Sequence, residues 1–386
     1  MAVTKIGLRG LWFQFHKWIG ILLVLLIIPI SVTGSALVWH DWLDAQLNPQ
    51  RYAISGTAMI EPSAYIAAAK PRLVAGDRIA SIRAGEDGAA VTLTAMRPAE
   101  GRGMPTRTNV YLDPPTARVL DVADANAGAV RWLHQFHGSL LVPGIGRQIV
   151  GWIGVAMLIS CLTGLWLWWP TIGRWTRGLR WRRSNRFDDN LHHQVGFWIV
   201  LPLAMLSLTG VWISFPQWFS AIGAPPTAEG ARKGPPPPDR AARMRARPLV
   251  ETVQTPDAVV AAARAAQPGA FASINWPTDL STDWTVGIAR GEGRPKEIKV
   301  ADATGLAEAP RRGDRAPGNP VAQMMRRWHD GTGMGAVWQV LIFLGGIAPA
   351  VLGVTGIIMW LRTRGWRADV AKRRRAKAMR DPVAAE

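Results

Sequence analysis

His16-Lys17-Trp18-Ile19-Gly20 opens an apolar run that ends at Thr33-Gly34, and His192-His193-Gln194-Val195-Gly196 opens another that ends at Thr209-Gly210. In both, the histidine stands four residues before a glycine and seventeen before the threonine. Two further histidines are in register: His137 lies twenty-six residues before Thr163-Gly164, and His329 twenty-six before Thr355-Gly356. With seven His in 386 residues, a chance match at one aligned position is about one in fifty. Histidines at interfaces also anchor helix ends. Two matches favour imidazoles kept for chemistry, which inside a membrane points to ligation of a metal or haem.

Four apolar stretches dominate the chain, roughly Trp18 to Trp39, Ile149 to Trp169, Val195 to Phe215 and Ala336 to Leu361. Each has the ~20 residues a helix needs to cross a ~30 Å hydrocarbon core. The first is too long for a cleaved leader and lacks a clean small-residue cleavage site, so it is expected to be retained.

Basic residues orient the spans. Lys5, Arg9 and Lys17 precede the first, six Arg lie from Arg174 to Arg186, and nine Lys or Arg lie from Arg362 to Arg380. Asp41 to Gly146 holds ten basic and ten acidic residues, which cancels the bias there. The positive-inside rule then places both termini in the cytoplasm and both long connections outside. The net charge of +18 collects on the cytoplasmic flanks, where it meets anionic lipid, so nucleic acid is not an expected partner. Many of the twenty Trp, including Trp18, Trp39, Trp168, Trp338 and Trp360, fall near span ends as interfacial rings do. Cys161 is the one cysteine, which excludes an intrachain disulfide, and without C-x-x-C-H any haem would be b-type.

The outside segments read alike. Pro62 to Leu73 has a helical apolar face, followed by strand-like Arg78 to Ile82, Ala89 to Thr94 and Thr108 to Asp113. Pro256 to Ala266 repeats the helix, and Ala270 to Asn275, Asp283 to Ala289 and Glu297 to Asp302 repeat the strands. Asp-led turns follow at Asp113 and Asp302. Ala224 to Pro248 is rich in Pro and Arg and reads as a mobile linker.

The expected fold is a membrane all-α four-helix bundle, a duplicated two-helix unit, with two small α+β modules outside. In order, the chain gives a cytoplasmic N-terminus (1–17), a first span (18–40) and a first module (41–130). An outer histidine segment with the second span (131–170), a basic cytoplasmic loop (171–190) and a third span (191–215) follow. A linker (216–250), a second module (251–325), an outer histidine segment with the fourth span (326–362) and a basic tail (363–386) complete it.

This arrangement puts His16 and His192 at the inner face and His137 and His329 at the outer face. Each pair would bring imidazoles from different helices to one depth, as a six-coordinate haem iron requires. His40, His134 and His193 have no repeat counterpart and are alternative ligands, neighbours or propionate contacts, with His40 the strongest substitute at the outer face. A straight helix would lift His137 ~15 Å above the span boundary. Pro143-Gly144 and Gly146, and Gly331, Gly333 and Gly335 after His329, are expected to let these segments fold back.

The chain resembles the PepSY-associated transmembrane helix family. The matching elements are H-x-x-x-G…T-G from His16 to Gly34 and L-H-x-x-H-G…G-R…T-G-L-W-L-W-W-P from Leu133 to Pro170. L-H-H…T-G from Leu191 to Gly210 and W-H-D-G…T-G from Trp328 to Gly356 complete the set. The outside modules look like PepSY domains. The resemblance implies a bacterial inner-membrane ferric-siderophore reductase with two haem b groups, and a ferric siderophore as substrate. No nucleotide, flavin or H-E-x-x-H motif is present, so quinol or a redox protein is the expected electron donor. PepSY modules also accompany peptidases as inhibitory segments. The alternative is therefore a non-redox regulatory or binding protein with a four-helix anchor.

The topology is testable. Cysteines introduced at Asp87 and Glu292 should be labelled from outside, and cysteines at Arg180 and Lys377 from the cytoplasm. Cytoplasmic labelling at either of the first two positions reverses the orientation.

Overall fold

The computed structural model describes residues 5–85, 89–99, 104–169, 174–181, 184–222, 240–291, 295–308 and 319–380. Its helices are α1 (Lys5–Val38), α2 (His40–Leu47), α3 (Pro62–Ala69), α4 (Ala129–Ser139), α5 (Gly146–Trp168), α6 (Phe187–Ser214), α7 (Arg240–Arg245), α8 (Pro256–Ala266), α9 (Pro320–Asp330) and α10 (Ala336–Arg380). The strands are β1 (Arg78–Arg83), β2 (Val91–Arg97), β3 (Thr106–Leu112), β4 (Val119–Asp124), β5 (Ala270–Asn275), β6 (Asp283–Ala289), β7 (Lys296–Ala301) and β8 (Ala307–Glu308). The chain divides into a helical unit (Met1–His40, Leu133–Ala224, Asn319–Glu386) and a sheet unit (Asp41–Trp132, Pro225–Gly318).

Four helical stretches, Gly7–Val38, Gly146–Trp168, Phe187–Ser214 and Ala336–Ala371, are long and apolar enough to cross a membrane. A helix satisfies its backbone internally, which a span without water requires. Two boundaries differ from the sequence expectation. α1 begins at Lys5 because nothing between Leu8 and Lys17 breaks a helix, so His16 lies inside the helix and not at its mouth. α10 runs past Leu361 to Arg380, through Ala, Arg and Lys that favour helix.

α1 packs on α5 and α10, and α6 packs on the same two, giving the ring α1, α5, α6, α10. Small residues set the closest approaches. A Cβ at Gly346 would overlap Ser35 Oγ, whose hydroxyl donates to Phe343 O at 2.9 Å and ties α1 to α10. A Cβ at Gly151 would overlap the Phe215 ring. At the basic end, the Arg362 guanidinium donates to Asp188 Oδ2 at 2.6 Å and to Asp189 Oδ1, clamping α10 to the first turn of α6.

Both histidine segments fold back as the glycines suggested. α9 ends on Gly331, and Gly331, Gly333 and Gly335 all have positive φ (77°, 69° and 82°). Between α4 and α5 the reversal uses Gly144 (φ 76°), with Leu140 and Leu141 also left-handed at 53° and 59°. Leu140 packs against the buried Ile27, Ile30 and Ile153, which offsets the strain of that conformation.

The two long segments that follow the first and third apolar helices form one sheet, not two separate modules, in the order β4-β3-β2-β1-β5-β6-β7-β8. β1 and β5 join the halves antiparallel, with Ile82 opposite Ile274. Each half alone would expose one of these as a bare edge, and pairing removes both. α3 and α8 supply Tyr65, Ala69, Val259, Val260 and Ala263 to a core shared with Ile82, Leu93, Val110, Ile274, Trp284 and Ile298. Asp257 Oδ1 accepts from Ser63 N at 2.9 Å, so α8 caps the start of α3. β4 and β8 were not foreseen, because neither carries a clean alternation. Most of the Pro/Arg-rich linker lies outside the described residues. Its end is ordered, with α7 and a bridge between Pro248 and Thr278.

Two buried carboxylates lock the segments that enter the sheet. Asp113 accepts from Ser55 N (2.6 Å) and Ser55 Oγ (2.5 Å), and Asp302 from Val253 N (2.9 Å), Gln254 N (3.1 Å) and Trp284 Nε1 (2.8 Å). Burial alone would raise both pKa values, but these hydrogen bonds outweigh it and hold both below the usual carboxylate range. A depressed folded pKa stabilises above the unfolded value, and that stability is lost as pH falls through the folded pKa. The protection factors of the Val253 and Gln254 amides, each referred to the intrinsic exchange rate at that pH, should therefore fall on acidification below about pH 4. Asp302→Asn should produce the same loss of protection at neutral pH, at a cost of about 1–3 kcal/mol. Unchanged protection in that variant would show that the carboxylate does not hold this segment.

Candidate functional site

Six of the seven histidines pair by ring within the helical unit. The centroids of His16 and His192 lie 6.5 Å apart, those of His137 and His329 6.0 Å, and those of His40 and His134 6.0 Å. The first two pairs are those the sequence register brings together. The ring beside His40 is that of His134, and not that of either outer histidine. His40 lies exposed, with its Nδ1 3.0 Å from Leu37 O. His193 follows His192 with the ring centroids 6.3 Å apart, and its Nδ1 is 2.5 Å from Asp189 O.

The register arises from helix geometry. Eighteen residues separate His16 from Gly34 on α1 and His192 from Gly210 on α6, which at 1.5 Å per residue is ~27 Å. His137 packs on Gly34 and His329 on Gly210. The two imidazole pairs thus lie near opposite ends of the bundle, about one hydrocarbon thickness apart.

Each of the four histidines rests on the Thr-Gly step of a neighbouring helix. His16 Nδ1 is 3.1 Å from Thr163 Oγ1, His192 Nδ1 2.9 Å from Thr355 Oγ1, and His329 Nδ1 3.0 Å from Thr209 Oγ1. His137 departs from the pattern, as its Nδ1 lies 2.9 Å from Ile30 O and not at Thr33. The adjoining glycine is small because the ring lies against it. A Cβ would stand 3.0 Å from His16 Cε1 at Gly164, 2.6 Å from His137 Cε1 at Gly34, 3.4 Å from His329 Cε1 at Gly210 and 3.5 Å from His192 Cε1 at Gly356. In the sequence these Thr-Gly steps served only as register marks. Antiparallel packing could have revealed their role, since it sets the start of one span level with the end of the next.

A cavity of about 540 Å³ opens beside the first pair. Its walls include His16, His192 and His193, and along α1 it extends from Arg9 to Ile27. Gly20 and Gly196, each one turn beyond a histidine on the same helix face, line it, and no atom lies within 4 Å of a Cβ built at Gly20. That accounts for the H-x-x-x-G spacing. The remaining lining is mainly apolar, with Leu23, Val24, Val200 and Leu203 among it. At its end, Ile27 joins Ile30 and Ile153 in a buried cluster, and Ile30 is the residue whose carbonyl meets His137. Arg9 lies at the basic end and donates to Leu167 O (2.5 Å) and Trp169 O (3.2 Å).

The chain is 28% identical over 270 residues to an uncharacterized protein of Pseudomonas aeruginosa, across 64% of this chain and 66% of that protein. The family model of the PepSY-associated TM region matches residues 13–363, which takes in all four apolar helices and the sheet unit between them, and the chain belongs to that membrane-protein family.

Proposed function

We propose that the paired histidines hold two b-type haems and that the protein reduces a ferric siderophore on the outer side of the bacterial inner membrane. The ring spacing carries this reading. Metal–imidazole bonds are about 2 Å, and a ring nitrogen sits ~1 Å from its centroid, so two imidazoles on opposite sides of one metal have centroids roughly 6 Å apart. His137 with His329, at 6.0 Å, and His16 with His192, at 6.5 Å, meet that distance. The cavity at the first pair lies within the volume range of cofactor sites and has their mainly apolar walls.

Bound haem b supplies one-electron redox chemistry. The chain contributes the rest. His16 and His192 would hold the group at the basic end, which the positive-inside rule makes cytoplasmic, and His137 and His329 at the other. The apolar lining excludes water, and besides the paired histidines the cavity's polar side chains include Arg9, Ser160 and His193, of which Arg9 is the cation that would face acidic substituents. Siderophores hold hard Fe(III) in an oxygen shell and hold Fe(II) far less well, so one electron loosens the metal without hydrolysing the chelator. Quinol or a redox protein is the donor in this reading. We also read the bundle as one two-helix unit present twice, and the halves of the sheet as PepSY-like modules.

Absorbance spectra of the purified protein test the cofactor. Low-spin bis-imidazole haem b should be present, and His16→Ala or His192→Ala should each remove one haem signal and leave the other. Dithionite-reduced protein in nanodiscs should be reoxidised by a ferric siderophore, with Fe(II) trapped by a chelator. His329→Ala should lose this while keeping the inner signal. Reduced haem that persists through a panel of ferric siderophores would replace the reductase with an electron carrier. Absence of haem would leave the regulatory anchor as the reading.

A further inference from the structure

We infer that Thr163, Thr209 and Thr355, with the Ile30 carbonyl, are positioning groups that fix all four paired imidazoles in one tautomer, protonated at Nδ1, leaving Nε2 to ligate. Its tautomer half stands on hydrogen-bond chemistry alone, and its haem half rests on the function proposed above.

A threonine hydroxyl has one proton. Thr163 Oγ1 lies 2.9 Å from Ile159 O and 3.1 Å from Ser160 O, and Thr209 Oγ1 2.8 Å from Met205 O and 3.1 Å from Leu206 O. Thr355 Oγ1 lies 2.7 Å from Val351 O and 3.2 Å from Leu352 O. Carbonyls only accept, so each hydroxyl spends its proton on its own helix. What remains toward the histidine is a lone pair, and the ring nitrogen facing it must donate. At His137 the partner is the Ile30 carbonyl, which accepts for the same reason. Thr33 spends its proton on Pro29 O (2.7 Å) and Ile30 O (2.9 Å). Ser160 Oγ also lies 3.4 Å from His16 Nδ1, so the contacts at His192, His329 and His137, at 2.9, 3.0 and 2.9 Å, carry the Nδ1–H assignment and His16 follows by the repeat.

A neutral imidazole protonated at Nδ1 carries its ligating lone pair on Nε2. Donation from Nδ1–H also raises the basicity of the ring toward a bound metal. A more basic axial ligand favours the ferric over the ferrous state, so these hydroxyls should hold the reduction potential down. The glycine beside each threonine lets the Cε1 edge of the ring approach the helix closely, which limits its rotation.

Thr355→Val keeps the side-chain shape and removes the acceptor, while Thr355→Ser keeps the acceptor. In full-length, haem-free protein with ¹⁵N-labelled histidine, the His192 resonances should report Nδ1–H in wild type and in Thr355→Ser. In Thr355→Val they should shift to a mixture of tautomers. In haem-loaded protein, Thr355→Val and Thr163→Val should raise the midpoint potential of the inner signal alone, Thr209→Val that of the outer alone, and the serine variants should restore wild-type values. Wild-type resonances showing Nε2–H, or valine variants that leave tautomer and potential unchanged, would overturn the inference. A protein without haem would fail the functional reading, and the resonances of the haem-free chain would still decide the tautomer.

Discussion

The contact between a histidine and the Thr-Gly step of another helix organises the helical unit. Within each half it is crosswise: α5 offers Thr163 and Gly164 to His16 of α1, and α1 offers the Ile30 carbonyl and Gly34 to His137 of α4, the segment just before α5. α10 and α6 repeat it with Thr355 for His192 and Thr209 for His329. The contact therefore ties helices within each half, whereas the ring pairs His16 with His192 and His137 with His329 connect the halves. In a membrane, where lipid is as apolar as leucine, such polar contacts and small-residue approaches replace the hydrophobic drive that assembles bundles in water. The same residues that bring the helices together thus also aim the imidazoles.

The sheet unit rests on different physics. Its core is a layer of alternating apolar strand residues under α3 and α8, continuous from Val110 through Ile82 and Ile274 to Ile298. Buried carboxylates complete it by accepting amides that no strand pairs, Ser55 at one end and Val253 and Gln254 at the other. Arg51 does similar work at the surface, donating to Asp121 at 2.6 Å while its guanidinium stacks 4.7 Å from the Tyr111 ring centroid. Burial also raises the Tyr52 phenol, aided by its hydrogen bond to Asp44, and the pKa goes beyond the range of ordinary tyrosines. Tyr52 therefore stays a neutral donor to Asp44 at any physiological pH.

Much of this was legible in the sequence, for identifiable reasons. The four spans show because hydropathy over some twenty residues overrides local detail. The histidine pairs show because two helices of equal spacing keep equal depth, and α8, β5 and β6 have the bounds their period and flanking turns indicate. Other features depend on tertiary contacts that no local pattern encodes. The junction of β1 with β5 joins residues almost two hundred positions apart, and the clamp of Arg362 on Asp188 and Asp189 joins opposite ends of the bundle's second half. Leu140 adopts a conformation normally left to glycine, because packing on Ile27 and Ile30 compensates for it. The shift of His137 from Thr33 to the Ile30 carbonyl depends on how closely α4 folds back, which loop composition does not encode.

The cavity places the strongest constraint on what occupies the bundle. The cavity is only part-enclosed and its walls are mainly apolar, so both lipid and a cofactor fit its lining chemistry. Acyl chains would satisfy its apolar walls but not two inward imidazoles, whose lone pairs would then be buried without a partner. An occupant that satisfies both is flat or elongated, mostly apolar, and carries an electron-pair acceptor at the level of His16 and His192. Glycines at 20 and 196 then have a plain reason, since a side chain at either would fill the space that the occupant needs beside the imidazoles.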